Sequence, residues 1–254
     1  MDLQIKGLRA LITGGNKGIG RAVAQVMAEE GCDLILAARD ESALTQTADD
    51  IRGRFQVAVD THVADLSQEQ AVKALAAQAG AVDILVNNAG AIPPGTLAGV
   101  DNDTWRQAWD LKVFGFISLC REIYPAMAAR RSGVIINIIG AAGERFPAGY
   151  IAGAAGNSAL MGFTRALAHG AHADGIRVVG INPGAILTER AEMLARTKAQ
   201  AQLGDPERWR ELHATLPFGR AGKPEEVANA VAFLASPRSS YTSGTILTID
   251  GGKE

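Results

Sequence analysis

The chain has 254 residues, 47% of them apolar and 20% charged, with a formal net charge of -2 and a mean hydropathy of +0.06. This supports a sizeable core in one large α/β domain or two small ones, and the lack of a basic run or stripe argues against nucleic acid as a main partner. No apolar stretch is long enough for a bilayer, and the N-terminal MDLQIKGLRALITGG lacks the basic start and apolar run of a signal peptide, so the expectation is a cytoplasmic protein without a membrane partner.

Taken in chain order, short β-rich runs alternate with helical patterns. LRALIT (8–13) reads as a strand, and RAVAQVMAEEG as an amphipathic helix stopped by Gly31. DLILAA (33–38), FQVAVD (55–60), VDILVN (82–87), GVIINI (133–138), IRVVGI (176–181) and TILTI (245–249) read as further strands, apolar on consecutive residues as strands covered on both faces should be. Helical patterns fill the gaps, including long ones from about Asp101 to Arg130 and from about Tyr150 to Ala173. The expected architecture is α/β: one doubly wound, mostly parallel sheet of seven strands with helices on both faces, forming a single domain over 1–254. The segment at about 188–219 interrupts the alternation with helical pattern and no strand. An insertion after a strand's carboxyl end overlies the ligand crevice of such a sheet, so this segment is a candidate lid, with an oligomer contact as the alternative. Cys32 and Cys120 lie in apolar contexts without metal-ligand spacing and read as buried thiols; no metal site is expected.

TGGNKGIG (13–20) falls between the first strand and the first helix, where a dinucleotide's pyrophosphate binds. Gly14 allows a tight turn, Gly18 and Gly20 allow close approach of backbone and helix, and the open N–H groups of the helix start favour an anion. Asn16, Lys17 and Ile19 complete this candidate contact set. At the end of the second strand a carboxylate would bind a ribose 2′-hydroxyl and repel a 2′-phosphate. The sequence there is LAARDES: Ala38 ends the strand and Arg39 comes next, with Lys17 the second cation nearby. The pair favours NADP(H) over NAD(H); the alternative is two solvated surface charges.

TGGNKGIG, NNAG (87–90), INPGAILT (181–188) and YTSGTILTIDGG (241–252) together resemble the short-chain dehydrogenase/reductase family, in its order and spacing and over essentially the whole chain. The resemblance implies a Rossmann-type subunit, a nicotinamide cofactor, a small-molecule substrate and a homotetramer or homodimer. It also implies that Asp65 and Leu66 contact adenine, that Asn88, Ala89 and Gly90 line the cofactor ribose, and that Pro183, Gly184, Ile186 and Thr188 hold the nicotinamide amide.

The family's chemistry usually rests on an Asn, a Ser, a Tyr and a Lys. Aligned on SALMGFTRALA (158–168), the Lys position holds Asn157, the Tyr position four residues earlier holds Gly153, and the Ser position thirteen before that holds Gly140. The register that makes Tyr150 the family tyrosine puts Ala154 at the Lys position and Asn137 at the Ser position, and breaks the downstream match. In DTWRQAWDLKVFGF the family's Asn aligns with Lys112, so a Lys and an Asn are exchanged between two positions that the family places close together. An unperturbed lysine titrates near ~10.4, close to a phenol at ~10, so Lys112 could serve as general acid or as fixed charge for an oxyanion; it could also be a solvated helix lysine. If the helix starts near Pro147, Tyr150, Gly153 and Asn157 share one face, and the Tyr150 phenol leans toward the space left at Gly153 or packs at the pocket mouth. Glu144 and Arg145 read as a substrate contact or a solvated pair. The candidate catalytic set is therefore Lys112, Asn157 and Tyr150. The expected function is an NADP(H)-dependent oxidoreductase acting on a carbonyl or alcohol through a remodelled site; the alternatives are a cofactor-binding sensor or regulatory protein and a non-redox enzyme using the same pocket.

Overall fold

The computed structural model describes residues 1–252. Strands β1 (Arg9–Thr13), β2 (Asp33–Ala38), β3 (Val59–Val63), β4 (Ile84–Asn87), β5 (Gly133–Ile138), β6 (Ile176–Pro183) and β7 (Ile246–Ile249) form one sheet. Their order is β3-β2-β1-β4-β5-β6-β7, and every pairing is parallel. The pleat sends successive residues to opposite faces. On β1, Ala10 and Ile12 meet helices α1 (Gly18–Glu29), α2 (Glu41–Arg54) and α9 (Pro224–Ala235) on one side. Leu11 faces the other side, toward α3 (Glu69–Ala79), α5 (Gly115–Arg130) and α7 (Ile151–Ala171). Burial on both faces is what the continuous apolar strand runs require. The strand order reverses between β1 and β4, and the carboxyl ends of those strands diverge there into a crevice. Among the described residues no helix is long and apolar enough to cross a membrane.

Three local expectations are corrected. The third strand was expected at 55–60 and lies at Val59–Val63. Phe55 instead closes α2, its N–H bonded to the Ile51 carbonyl at 2.9 Å, and Phe55 and Val57 pack half-buried against the core outside the ladder. The apolar alternation there satisfies a loop that covers the core, and pairing with β2 begins only at Leu34 opposite Val59.

The long helix expected over 101–130 is α4 (Asn102–Trp109), a widened π turn at Asp110–Phe114, then α5. Such turns insert one residue and rotate the next stretch of helix, and they recur at functional sites; this one carries Lys112. The helix expected from Tyr150, with a start near Pro147, begins at Ile151. Tyr150 is its N-cap residue in a non-helical conformation, φ −142° and ψ 42°, because the 92–96 loop clamps the entry. Gly95 N donates to Gly149 O at 2.8 Å, and Ile151 N donates to Gly95 O at 3.2 Å.

The 188–219 insertion contains α8 (Glu189–Leu203) and 3₁₀ turns at Pro206–His213 and Pro217–Gly219 before α9. It has a small core of its own. Trp209 is fully buried against α8, with the guanidinium of Arg210 4.4 Å and that of Arg196 5.8 Å from its ring centre. The short helix α6 (Ala142–Arg145) comes after β5.

Candidate active site

The crevice holds a cavity of about 620 Å³ lined by Gly14, Asn16, Lys17, Gly18, Ile19, Arg39, Leu66, Asn88, Ala89, Gly90 and Thr188 among others. Eleven of the cofactor residues proposed from sequence therefore meet around one space. The glycines are needed sterically. Gly14 has φ +66°, and a Cβ on Gly20 would lie 2.1 Å from the Gly14 carbonyl oxygen and 2.5 Å from Asn88 Nδ2. Asn88 Nδ2 in turn donates to the Thr13 carbonyl at 2.9 Å. Thr13 Oγ1 accepts from the Asn88 and Ala89 N–H groups at 2.9 and 3.0 Å, locking the two loops edge to edge. The N-cap of α1 is Lys17, whose side chain makes no cap, and no acid lies in the helix's first turn. Its first N–H groups and dipole end thus open toward the cavity with no acid in their own turn, and the nearby Glu189 is paired with Arg21, leaving a ready cradle for pyrophosphate.

Lys17 and Arg39 line the same cavity, and neither forms an ion pair among the described residues. Asp40, the nearby acid, is held in another role: its carboxylate caps α2 by accepting from Ala43 N at 3.0 Å.

The remaining proposed residues lie around this shell. The Asp65 carboxylate accepts from Ser67 N and Ser67 Oγ at 3.1 and 2.8 Å, shaping the turn before α3 while Leu66 faces the cavity. Pro183 ends β6 and its carbonyl accepts from Ala141 N at 3.0 Å. Gly184 abuts Asp250, which a Cβ would approach to 2.5 Å. Ile186 is buried, on the far side of that loop in a second cavity of about 230 Å³. Thr188 caps α8 by accepting from Ala191 N at 3.2 Å, and its methyl would lie 3.2 Å from a Cβ on Gly18.

Lys112 is not a solvated helix lysine. Its stem crosses Gly90, where a Cβ would be 2.8 Å from Lys112 Cγ and Cδ, and its Nζ donates to the Ile139 carbonyl at 2.5 Å. Burial pushes its pKa down to about 8, because desolvation penalises the ammonium. Asn157 is 2% exposed, and its Nδ2 donates to the next carbonyl, Gly140 O, at 3.2 Å. Lys112 and Asn157 thus clamp two successive carbonyls at the carboxyl end of β5. Asn182 Oδ1 accepts from Gly140 N at 3.3 Å and holds the same residue from β6. Gly140 has φ +136°, and a Cβ there would lie 2.8 Å from Asn157 Nδ2. The Asn157 Oδ1 is buried without a hydrogen-bond partner.

The Tyr150 ring lies over Gly153: a Cβ on Gly153 would sit 2.0 Å from Tyr150 Cε1 and 2.1 Å from Cζ. Its inner edge packs against the cluster of Ile92, Val100, Ala108 and Ala152. Burial raises the phenol's pKa, and the positive charge of Arg190 works against that rise. Arg145 pairs with Asp250, and Thr248 Oγ1 donates to Glu144 at 3.0 Å, so these two residues brace α6 against β7 and the C-terminal segment.

Several contributors were not anticipated. Thr13 and Asn182 are backbone anchors whose roles depend on cross-strand neighbours. Leu111, Arg190 and Met193 line the cavity through the π turn and the insertion, both placed by tertiary packing. An arginine in the first turn of a helix, against the dipole, is unusual in residue type, but nothing local says that it faces the cavity.

A doubly wound parallel sheet with a glycine cradle, an uncapped helix start and a crevice at the strand-order switch defines a dinucleotide-binding α/β oxidoreductase fold. Comparison with known proteins agrees. Residues 14–254 match the family model described as enoyl-(acyl carrier protein) reductase. The chain is 35% identical over 251 residues to the 3-oxoacyl-[acyl-carrier-protein] reductase FabG of Vibrio cholerae serotype O1, covering 98% of each. It is 35% identical over 257 residues to the galactitol 2-dehydrogenase (L-tagatose-forming) of Cereibacter sphaeroides, covering 98% of this chain and 96% of that one. Among solved structures, L-sorbose reductase from Gluconobacter frateurii complexed with NADPH and L-sorbose superposes with a TM-score of 0.95 at 33% identity, over 99% of this chain and 98% of that one. The chain belongs to the short-chain dehydrogenase/reductase family of oxidoreductases.

Proposed function

We propose that this protein is an NADP(H)-dependent oxidoreductase interconverting a carbonyl and an alcohol on a small molecule, with Lys112, Tyr150 and Asn157 in place of the family's Ser/Tyr/Lys set. The observation that carries this is the double clamp on Ile139 and Gly140: the exchanged Lys and Asn converge on successive carbonyls of one loop, which two unrelated losses would not produce. The NADPH complex of L-sorbose reductase supports the cofactor, as do Lys17 and Arg39, two cations that line the cavity and suit a phosphate.

The residues fit the cofactor: Gly14, Asn16, Lys17 and Gly18 line the cavity at the uncapped start of α1. The bound nicotinamide supplies or accepts hydride. For reduction, the substrate oxygen also requires a proton. Lys112 Nζ, held at about 8, is a competent donor near neutral pH and carries positive charge to the oxygen as it becomes anionic. The Tyr150 phenol, kept protonated by its raised pKa, donates a hydrogen bond that orients the substrate. Asn157 holds the Gly140 carbonyl and offers Oδ1 to a hydroxyl. The 188–219 insertion serves as the lid, since Thr188, Glu189, Arg190 and Met193 already form one wall of the cavity. Assembly as a homotetramer or homodimer is consistent with Phe114, 54% exposed beside α5.

The test is label transfer. The protein is incubated with NADPH deuterated at C4 and a small-molecule extract, and products one unit heavier are sought by mass spectrometry. Label in a metabolite, lost in Lys112→Met, supports the reading. NADPH binding without any transfer of label overturns it in favour of a cofactor-binding or non-redox role.

A further inference from the structure

The wall of the cavity nearest Tyr150 carries a cation that the cofactor cradle does not explain. Arg190 lies in the first turn of α8, where a positive charge opposes the helix dipole and contributes no stability of its own. Its neighbours in the same turn are committed elsewhere: Glu189 pairs with Arg21, and Glu192 with Arg196. Arg190 itself makes no hydrogen bond or ion pair among the described residues, although it is exposed and has Glu189 and Glu192 in its own turn. It lines the cavity together with Ala91, Leu111 and Met193.

The charges around it are unbalanced. Lys112, packed behind Gly90, bonds only a neutral carbonyl and offers no counter-charge. Of the acids lining the cavity, Asp40 caps α2 at the far end beside Arg39, and Glu189 is paired with Arg21. Asp250 is engaged by Arg145 and Glu144 by Thr248. Arg190 therefore stands on the cavity wall without an uncommitted protein carboxylate to balance it, an arrangement that favours a ligand anion.

We propose that Arg190 is a specificity-determining residue that binds a carboxylate on the substrate, so that the protein acts on oxo acids or hydroxy acids. This rests on the reading of the site as an oxidoreductase pocket. A planar guanidinium matches a carboxylate through two parallel hydrogen bonds. The apolar side chains of Leu111 and Met193 beside it accommodate the carbon skeleton between the acid and the carbonyl. Because the contact forms at the lid's first turn, the substrate's own charge draws the lid against the pocket.

The test reads binding, with no turnover required. The protein·NADPH complex is titrated calorimetrically with 2-oxobutyrate, levulinate and phenylglyoxylate, each against its methyl ester, using the wild type, Arg190→Met and Arg190→Lys. At least one acid should bind wild type about tenfold or more tightly than its ester, Arg190→Met should erase that preference, and Arg190→Lys should keep part of it. Equal affinity of acid and ester for the wild type overturns the proposal. So does a rise in the NADPH Kd of Arg190→Met as large as its loss of carboxylate affinity, which assigns the arginine to the cofactor's phosphates. A preference for acids with no label transfer from NADPH leaves this inference standing and removes the redox reading; transfer of label to uncharged substrates alone does the reverse.

Discussion

Gly153→Ala tests whether Tyr150 has taken over the space above α7. The added Cβ would lie 2.0 and 2.1 Å from two ring atoms of Tyr150, against a carbon–carbon optimum near ~3.5–4.0 Å. The helix backbone is fixed by its hydrogen bonds, so the ring must move by roughly 1.5 Å or leave, at an overpacking cost of about 1–3 kcal/mol. Replacing a helical glycine by alanine returns at most about 0.5–1 kcal/mol here, since Gly153 lies in the first turn of α7. The single variant should therefore lose up to about 2 kcal/mol net, together with most of its turnover, because the phenol is displaced. In a Tyr150→Ala background the collision is absent, and the same change should stabilise by at most about 0.5–1 kcal/mol. The double-mutant cycle thus predicts a coupling of about 1–3 kcal/mol between positions three residues apart. Urea unfolding of the four proteins at one pH measures it, with NADPH affinity as a check on the fold. Stabilisation of equal size in both backgrounds would refute the placement of the ring, and with it the role given to Tyr150.

Lys112 is depressed from an ordinary lysine value to about 8 by burial, so the unfolded chain holds its proton more tightly than the folded one between pH 8 and about 10.5. Stability should rise with pH across that window by up to about 3 kcal/mol; Lys112→Met should lose that rise and be the more stable protein at pH 7, as urea midpoints at both ends will show. With Lys112 as proton donor, the rate of carbonyl reduction should fall as pH rises through about 8, and a reduction profile flat from pH 7 to 9.5 would remove Lys112 from that role. Lys17→Ala and Arg39→Ala should each raise the NADPH Kd by about tenfold or more while leaving that of NADH within about twofold; equal losses for both nucleotides would place these side chains away from the 2′-phosphate.

The architecture is readable because the inner strands bury both faces and their apolar runs are continuous; the edge strands β3 and β7 are half exposed and carry that signal weakly. The third is displaced because Phe55 and Val57 continue the apolar alternation of Val59 into a loop that covers the core without joining the ladder. The glycine cradle is legible for a steric reason: Gly14 and Gly20 tolerate no side chain at their separations, so the demand is written into residue type. The pairing of Lys112 with Asn157 can be suspected from their positions, but not their common target. Both bond to carbonyls, at Ile139 and Gly140, and a carbonyl leaves no trace in residue type. Arg190 escapes a sequence reading because its place on the cavity wall depends on how α8 leaves β6, which no local periodicity encodes.

The buried asparagine chain has a mechanical consequence. Asn87 Nδ2 donates to Asn137 Oδ1 at 2.9 Å, Asn137 Nδ2 to Thr164 Oγ1 at 2.9 Å, and Thr164 Oγ1 to the Leu160 carbonyl at 2.7 Å. These bonds bolt the middle of α7 to the two central strands, two turns beyond Asn157. A helix pinned at that point transmits force as a lever: strain applied at its Tyr150 end cannot dissipate by sliding along the sheet. Asn157, with the Gly140 carbonyl it holds, lies on the arm between that pin and Tyr150.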